Sequence, residues 1–344
     1  MAPPKPIMMT WGRVSALLRP PSRAAIADLS VASLIAAAYR VPVVPSLEPF
    51  FAPARLIVEW TAAPGDCGCP IPDEEQELHA RAFDELAADY DATFSDSALG
   101  KTLRSLVWSR LEQAFQPPQR VLELGCGTGV DALNMALRGV EVVATDASAG
   151  MIEVARKKAQ TLYSAGDTRR VEFHCVPMER LASALDGQLF DGVLSNFGAI
   201  NCVQNLPALV SDVAMRLRPR ARLVWVVMGR HVPWEWTWFL LQGHWSKAWR
   251  RLTPGGVSWR DVTVRYPTPG ELAGLLRPHF RIERIAPLGV ALPPSYAGEW
   301  LARRPRLSRM LTDLEHRAQG CSALAGLADH YIVEATRLDP GVRL

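Results

Sequence analysis

The chain has 344 residues, enough for one large domain or two modest ones. Apolar residues make up 49% of it and charged residues 21%, as in an ordinary globular protein, and a net charge of +3 gives no ground for expecting a nucleic-acid partner. The six cysteines lack the spacing of a disulfide framework, so we expect reduced thiols and a cytoplasmic location.

Prolines are frequent in residues 1–72, which we predict to be an N-terminal extension without a catalytic role. They leave room for one helix at about 23–39 and a strand at about 56–60. The apolar stretch 29–39 is shorter than the roughly 20 residues that cross a bilayer. Cys67-Gly-Cys69 resembles half of a zinc site, but no second ligand pair follows, so we predict no metal.

Residues 73–344 are predicted to form one domain. It begins with helices at about 73–90 and 99–115. Strands at 120–124, 140–145, 171–175, 190–195 and 222–228 then alternate with helices at 130–138, 149–163 and 206–217. A helix at 269–276 and strands at 280–288 and 331–337 follow, with two insertions, at about 230–266 and 290–328, that we expect to be helical lids. The alternation predicts a doubly wound α/β sheet.

A glycine loop, Leu122-Glu-Leu-Gly-Cys-Gly-Thr-Gly129, lies between the first strand and the next helix. Glycines there let the backbone turn tightly and approach a ligand closely. Asp146 ends the second strand, 146 − 125 = 21 residues after Gly125. An acid at that place holds the hydroxyls of a ribose. The sequence therefore predicts a nucleoside-binding site.

Two cofactor classes use this geometry. Dinucleotide sites read Gly-x-Gly-x-x-Gly and place a helix N-terminus against a pyrophosphate. Here the glycines stand at 125, 127 and 129, and Glu123 would repel a phosphate. S-adenosylmethionine carries an ammonium, a sulfonium and no phosphate, so the charge of Glu123 favours it as the cofactor.

On these residues, the segment from about 73 to 338 resembles the class I S-adenosylmethionine-dependent methyltransferases, most specifically over 120–228. The resemblance implies a seven-stranded, mostly parallel sheet. Its last strand, 331–337, would be antiparallel and lie beside the fifth, with 280–288 as the sixth.

The resemblance also implies roles for individual residues. Asp146 would hold the ribose, and Tyr90 would close over the cofactor. Pro177 stands where the family often has an acid that accepts from the adenine amino group, and a proline side chain has no acceptor for that contact. The other residues implied to approach the cofactor are Glu123, Gly125, Cys126, Gly127 and Gly129 at its methionine part, Ala147, Ser148, Met178 and Glu179 at its adenine, and Ser195 after the fourth strand.

The insertion after the fifth strand is rich in tryptophan and in basic residues. Seven of the eleven tryptophans lie in 225–259, and the stretch 216–265 has ten basic residues against two acids. An insertion of this composition suits an apolar or aromatic small-molecule acceptor with an anionic group. It also suits a peripheral membrane contact, or a helical lid whose tryptophans pack on the domain. The candidates for acid, base or acceptor-binding groups are Asn196, Asn201, His231, Glu235 and His244.

Three other functions stay open at this stage. A cofactor-binding partner subunit without catalysis is opposed by the intact glycine loop and Asp146, and an NAD-dependent oxidoreductase by the glycine spacing and Glu123. RNA methyltransferases often carry Asn/Asp-Pro-Pro-Tyr/Phe after the fourth strand, where this chain reads Ser195-Asn-Phe-Gly198. We therefore expect a small-molecule acceptor rather than RNA or protein.

Overall fold

The computed structural model describes residues 80–162 and 170–339. The predicted extension at 1–72 and its Cys67-Gly-Cys69 pair lie outside these residues, as does the start of the helix predicted at 73–90. The described part of that helix covers only 80–84, and turns at 85–89 lead to a π-helical turn, Asp91–Ser95. The prediction of a continuous helix to Tyr90 is therefore wrong. The helix ends where the Asp84 carboxylate accepts a hydrogen bond from the amide of Gly150, at 2.8 Å.

Seven strands form one sheet, and a short hairpin stands apart from it. The strands are β1 (Arg120–Leu124), β2 (Glu141–Asp146), β3 (Val171–Cys175), β4 (Phe190–Ser195), β5 (Leu217–Met228), β6 (Val257–Trp259), β7 (Val262–Val264), β8 (Phe280–Leu288) and β9 (His330–Arg337). The sheet order is β3-β2-β1-β4-β5-β9-β8, with β6 and β7 paired separately. Strands β1 to β5 are parallel and β9 is antiparallel to both neighbours, which confirms the predicted fold class.

Buried apolar strands make the sheet. Val193, Leu194, Leu223 and Trp225 are all buried, as expected of parallel strands covered on both faces. Strand β5 begins at Leu217, five residues earlier than predicted, because Leu217 already pairs with Phe190 before an irregularity in the ladder.

Helices cover the sheet. They are α1 (Ala98–Ala114), α2 (Val130–Leu137), α3 (Ala149–Leu162), α4 (Leu181–Ala184), α5 (Leu206–Met215), α6 (Pro233–Leu241), α7 (Trp245–Trp249), α8 (Pro269–Leu276), α9 (Gly298–Ala302) and α10 (Pro305–Ala318). Several begin at side-chain caps, among them α1, where the Ser97 hydroxyl accepts from the Gly100 amide at 2.9 Å. No helix within the described ranges is long and apolar enough to span a bilayer.

The first insertion is only partly helical. It contains α6 and α7, as predicted, but continues into the β6–β7 hairpin, which the prediction of a helical lid missed. The two residues of its turn, Arg260 and Asp261, both have positive φ, at 48° and 68°. Turns of that kind match the twist of a two-stranded ribbon. The second insertion is helical, in α9 and α10.

The carboxyl ends of the central strands lie at one edge of the sheet. Leu124, the last residue of β1, pairs with Thr145 on one side and Ser195 on the other. The glycine loop, Asp146 and the residues after β4 therefore meet at this edge, where open α/β sheets bind their ligands.

Candidate functional site

The glycine loop turns through three residues of positive φ. Gly125, Gly127 and Gly129 have φ values of 65°, 53° and 74°. A side chain at Gly127 would meet no atom within 4 Å, so this glycine leaves its backbone open to a ligand. Gly125 and Gly129 are packed instead, because an added Cβ would lie 2.3 Å from the Ala199 Cβ and 2.8 Å from the Ala155 Cβ, respectively. The loop thus combines an open backbone at Gly127 with tightly packed positions at Gly125 and Gly129.

Asp146 is bound to the same loop. Its carboxylate accepts hydrogen bonds from the Gly127 amide at 2.8 Å and from the Ser148 amide at 2.9 Å. Burial raises the pKa of this carboxyl, and the two backbone bonds oppose that rise. The residue predicted to hold a ribose is therefore aligned by the loop predicted to hold the rest of the ligand.

The residues predicted around the adenine lie beside this pair. Ala147 follows β2, and its carbonyl oxygen accepts from the Cys175 thiol at 3.5 Å. Met178 and Glu179 form a short helical turn after β3, with Pro177 at its start. The Met178 methyl group lies 2.9 Å from the position of a Cβ at Gly125. The structure thus brings Met178 to the glycine loop, and Pro177 offers no acceptor at its side chain.

Glu123 is a buried carboxyl group beside the loop. The residue is only 1% exposed, and its Oε2 has no hydrogen-bond partner within the protein. Burial, reinforced by the charge of Asp131, raises its pKa well above the ordinary value, and Arg104 partly offsets this rise. A buried carboxyl oxygen without a partner is costly, so Oε2 of Glu123 leaves an unmet demand for a cation or a hydrogen-bond donor.

Asp131, in the first turn of α2, is a member of the site that the sequence analysis missed. Its carboxylate accepts from the Trp108 indole at 2.7 Å and from the Asn196 amide at 2.9 Å, and it forms a buried ion pair with Arg104. It ties α1, α2 and the end of β4 together. The signal was its position two residues after the last glycine of the loop, at a helix start that favours an acid.

This network accounts for two of the predicted residues after β4. The Asn196 side chain donates to Asp131 and accepts from the amide of Phe197 at 2.9 Å. The Ser195 hydroxyl is buried and donates to the carbonyl of Leu124 at 2.9 Å. Both side chains are engaged with the protein itself and set the backbone of this loop.

Aromatic rings line the same edge. Tyr90 and Phe94 are 6.1 Å apart between centroids, and Phe94 meets Phe197 edge-on at 5.0 Å. The Arg104 guanidinium lies 5.0 Å from the centre of the Phe197 ring. Burial raises the pKa of Tyr90 to about 12, so its hydroxyl is neutral at physiological pH. Tyr90, predicted to close over the cofactor, thus belongs to an apolar wall beside the charged loop.

Three predicted catalytic candidates lie in the first insertion. Glu235 is buried, and its carboxylate pairs with Arg250 at 2.8 Å and with Arg251 at 2.7 Å. His231 packs edge-on against Trp236, with ring centroids 6.3 Å apart. His244 is exposed at the start of α7. The ion pairs give Glu235 a role in holding the insertion together. Asn201, also considered, donates to the carbonyls of Met228 and Arg265 and so joins β5 to the hairpin.

The described residues include no group of His, Cys, Asp and Glu that could hold a metal ion. The polar centre of the site is made by carboxylates and backbone amides.

Comparisons with known proteins agree with this geometry. A family described as a methyltransferase domain matches residues 121–220. The demethylmenaquinone methyltransferase of Beutenbergia cavernae is 33% identical over 156 residues, which are 44% of this chain and 58% of that protein. The protein of the same name from Symbiobacterium thermophilum is 26% identical over 230 residues, 60% of this chain and 86% of that protein. The chain thus spans little more than half the length of the first relative.

A solved structure shares the fold. The (4+2)-cyclase SpnF superposes with a TM-score of 0.53 and 15% identity, over 79% of this chain and 98% of that protein. At this identity the likeness concerns the fold alone, because one fold hosts different reactions. The methyltransferase domain matched at residues 121–220, the sheet order and the glycine loop agree with the resemblance of this chain to the class I S-adenosylmethionine-dependent methyltransferases.

Proposed function

We propose that the protein transfers a methyl group from S-adenosylmethionine to an aromatic small molecule. The observation that carries the proposal is Glu123, a buried carboxyl with an unpartnered oxygen, beside a glycine loop whose backbone is open at Gly127. A cation meets the electrostatic demand of this carboxyl, whereas a phosphate would be repelled by it. The family uses S-adenosylmethionine, which supplies an activated methyl group on a sulfonium.

The chain's own residues would bind and orient this cofactor. Asp146 would accept from the ribose hydroxyls, Glu123 and the loop amides would face the methionine part, and Met178 would pack on the adenine. Methyl transfer is an in-line displacement, so the main tasks of the protein are to align the acceptor and to exclude water. Phe94 and Phe197 supply an apolar wall for an aromatic acceptor at this edge.

The choice of acceptor follows from the relatives and from this wall. Two curated relatives are named demethylmenaquinone methyltransferases, which points to a quinone-like ring. We extend that class to this chain because its acceptor side is lined by aromatic rings. The alternative of a different class is a cofactor-binding protein that does not transfer a methyl group. We retain it because the cyclase SpnF, a protein of the same fold, is named for a different reaction.

Transfer of labelled methyl groups tests the proposal. The purified full chain is incubated with methyl-labelled S-adenosylmethionine and the reduced form of demethylmenaquinone, and labelled lipid-soluble product is measured. We expect label in the quinone fraction. The opposite outcome is a protein that binds S-adenosylhomocysteine but labels neither this acceptor nor any acceptor in a cell extract. That outcome would support the alternative, a cofactor-binding protein that does not transfer a methyl group.

We also propose that the first insertion makes a peripheral membrane contact, which would bring the protein to a lipid-soluble acceptor. Trp245 is 67% exposed and Trp249 43% exposed on α7, and Leu241 is 59% exposed at the end of α6. Tryptophan is favoured at the interface of a bilayer. The full chain is expected to sediment with phosphatidylglycerol vesicles, and unchanged sedimentation of Trp245→Ser/Trp249→Ser would contradict this contact.

A further inference from the structure

We propose that His330 is the base that takes the proton from an aromatic hydroxyl of the acceptor, and that Asp329 positions it. This inference rests on the proposed function, because it assigns a residue to the acceptor side of the same site. The basic candidates predicted from the sequence, His231 and His244, lie in the first insertion. His330 lies instead at the beginning of the last strand.

The topology brings His330 to the ligand edge of the sheet. Because β9 runs antiparallel to β5, its first residue lies where the parallel strands end. His330 pairs with Met228, the last residue of β5, and with Leu288, the last residue of β8. Its ring meets Phe197 edge-on, with 5.8 Å between centroids. The imidazole therefore faces the aromatic residue that follows β4, at the proposed acceptor wall.

A buried acid holds the other side of the ring. The Nδ1 atom of His330 lies 3.1 Å from the Oδ2 atom of Asp329. The two atoms are close without being aligned as a hydrogen bond, so a small rotation of the ring is needed to form it. Catalytic hydrogen bonds of this kind commonly tighten only when the ligand is bound. With Nδ1 directed to Asp329, the Nε2 atom is the one free to accept a proton.

Asp329 is itself kept charged. Arg251 donates to its Oδ1 atom at 2.7 Å and to its carbonyl oxygen at 3.2 Å. The arginine holds the pKa of the Asp329 carboxyl well below its usual range, against the effect of burial. Arg251 also pairs with Glu235 from α6, and its guanidinium lies 5.2 Å from the centre of the Tyr266 ring. The carboxylate is thus present to stabilise a positively charged imidazole.

In the proposed step, the hydroquinone ring attacks the methyl carbon through the ring carbon next to its deprotonated hydroxyl, a C–C bond forms, and the C–S bond breaks. The attacked ring carbon then gives up its hydrogen as a proton to the ring oxygen, which restores the aromatic ring. The electron pair of the broken bond stays on sulfur and gives neutral S-adenosylhomocysteine. The hydroxyl proton passes to Nε2 of His330, and the resulting imidazolium faces Asp329. General-base catalysis of this kind contributes about 10²–10⁴-fold to a rate.

Substitution of His330 tests the assignment in two readouts. In the transfer assay, His330→Ala is expected to lower kcat at least about 100-fold, with the KM for S-adenosylmethionine unchanged and activity partly restored by added imidazole. The control is His279→Ala, because His279 precedes β8 at the opposite edge of the sheet. Equal kcat in His330→Ala and wild type, or a loss that imidazole does not restore, would overturn the proposal.

A spectroscopic measurement keeps the proposal testable without turnover. The protein loaded with S-adenosylhomocysteine is mixed with 2-naphthol, whose absorbance distinguishes the phenol from its anion. Wild type is expected to show the anion at a lower pH than His330→Gln does. Identical spectra, or no binding of the naphthol to wild type, would refute the role of His330. If the wild type does not bind S-adenosylhomocysteine, the proposed function itself is refuted.

Discussion

Glu123, the residue proposed to face the cofactor, is predicted to serve ligand binding at the expense of stability. Its carboxyl is buried without a full set of partners, and burial raises its pKa well above the ordinary value of 4.5. A carboxyl whose pKa is higher in the folded state stabilises the fold below its unfolded pKa, and this contribution is lost as pH rises through the folded value. The unliganded protein should therefore lose stability as the pH rises above about 4.5.

Glu123→Gln is predicted to separate these two effects. The variant should unfold about 2 °C higher than wild type at pH 8, since the ionisation penalty is gone. It should bind S-adenosylmethionine at least about 10-fold more weakly, since a charge partner is lost. Thermal unfolding and calorimetric titration measure the two quantities, with the exposed Glu141→Gln as control. A variant that is less stable than wild type at pH 8 and binds the cofactor equally well would refute this account.

Other residues of the site differ in how far the sequence reveals them. Glu123, Asp146 and the loop glycines stand at fixed offsets along one strand–loop–helix unit, so their proximity follows from local order. The contact of Arg104 with Asp131 and that of His330 with Phe197 arise only through tertiary packing, because each joins two separate elements of the chain. An antiparallel last strand does place its first residue at the ligand edge, and that geometric step would have singled out His330.

At the scale of elements, the second insertion is held by one buried acid. The Glu315 carboxylate, on α10, accepts from the amides of Gly289 at 2.7 Å, Ala291 at 2.8 Å and Leu292 at 3.3 Å. These amides follow β8 and have their partners in this one side chain. The helix thus serves as a clamp on the loop that leaves the sheet next to β9.

Glu315→Ala is expected to cost about 3 kcal/mol in the free energy of unfolding, because two buried amides and one half-buried amide lose their acceptor. Asp313→Ala, on the exposed side of the same helix, should change that free energy by less than about 0.5 kcal/mol. Urea unfolding of both variants measures the difference. Similar midpoints for the two would show that the clamp contributes nothing to stability.

Elements with a periodic apolar pattern were predictable, and those that depend on tertiary contacts were not. The strands of the sheet and the helices predicted between them match their predicted positions within a few residues, apart from the early start of β5, whereas the short helix α4 was not predicted. The β6–β7 hairpin was missed because its strands have three residues each and its turn, Arg260-Asp261, contains no glycine. The helix predicted to reach Tyr90 ends at 84, where the Asp84 carboxylate accepts a hydrogen bond from the amide of Gly150 in the first turn of α3.

At the scale of the whole molecule, the site forms at one edge of the sheet, where segments that are distant in the sequence lie close together. The parallel strands bring the glycine loop, Asp146 and Asn196 to the carboxyl edge, α1 adds Arg104 and Trp108, and the antiparallel strand adds His330. The charged groups lie on the side of β1 and β2, and the aromatic rings lie toward β4 and β9. This division matches a cationic cofactor on one side and an aromatic acceptor on the other.

Calorimetric titration of the full chain tests this account most directly. Wild type should bind S-adenosylmethionine and S-adenosylhomocysteine and should show no binding of NAD. Asp146→Ala should weaken both sulfur ligands by at least about 10-fold, since two ribose hydroxyls lose a charged acceptor, while the exposed control Asp186→Ala should bind as wild type does. Binding of NAD without the sulfur ligands, or unchanged affinity in Asp146→Ala, would contradict the assignment of the site.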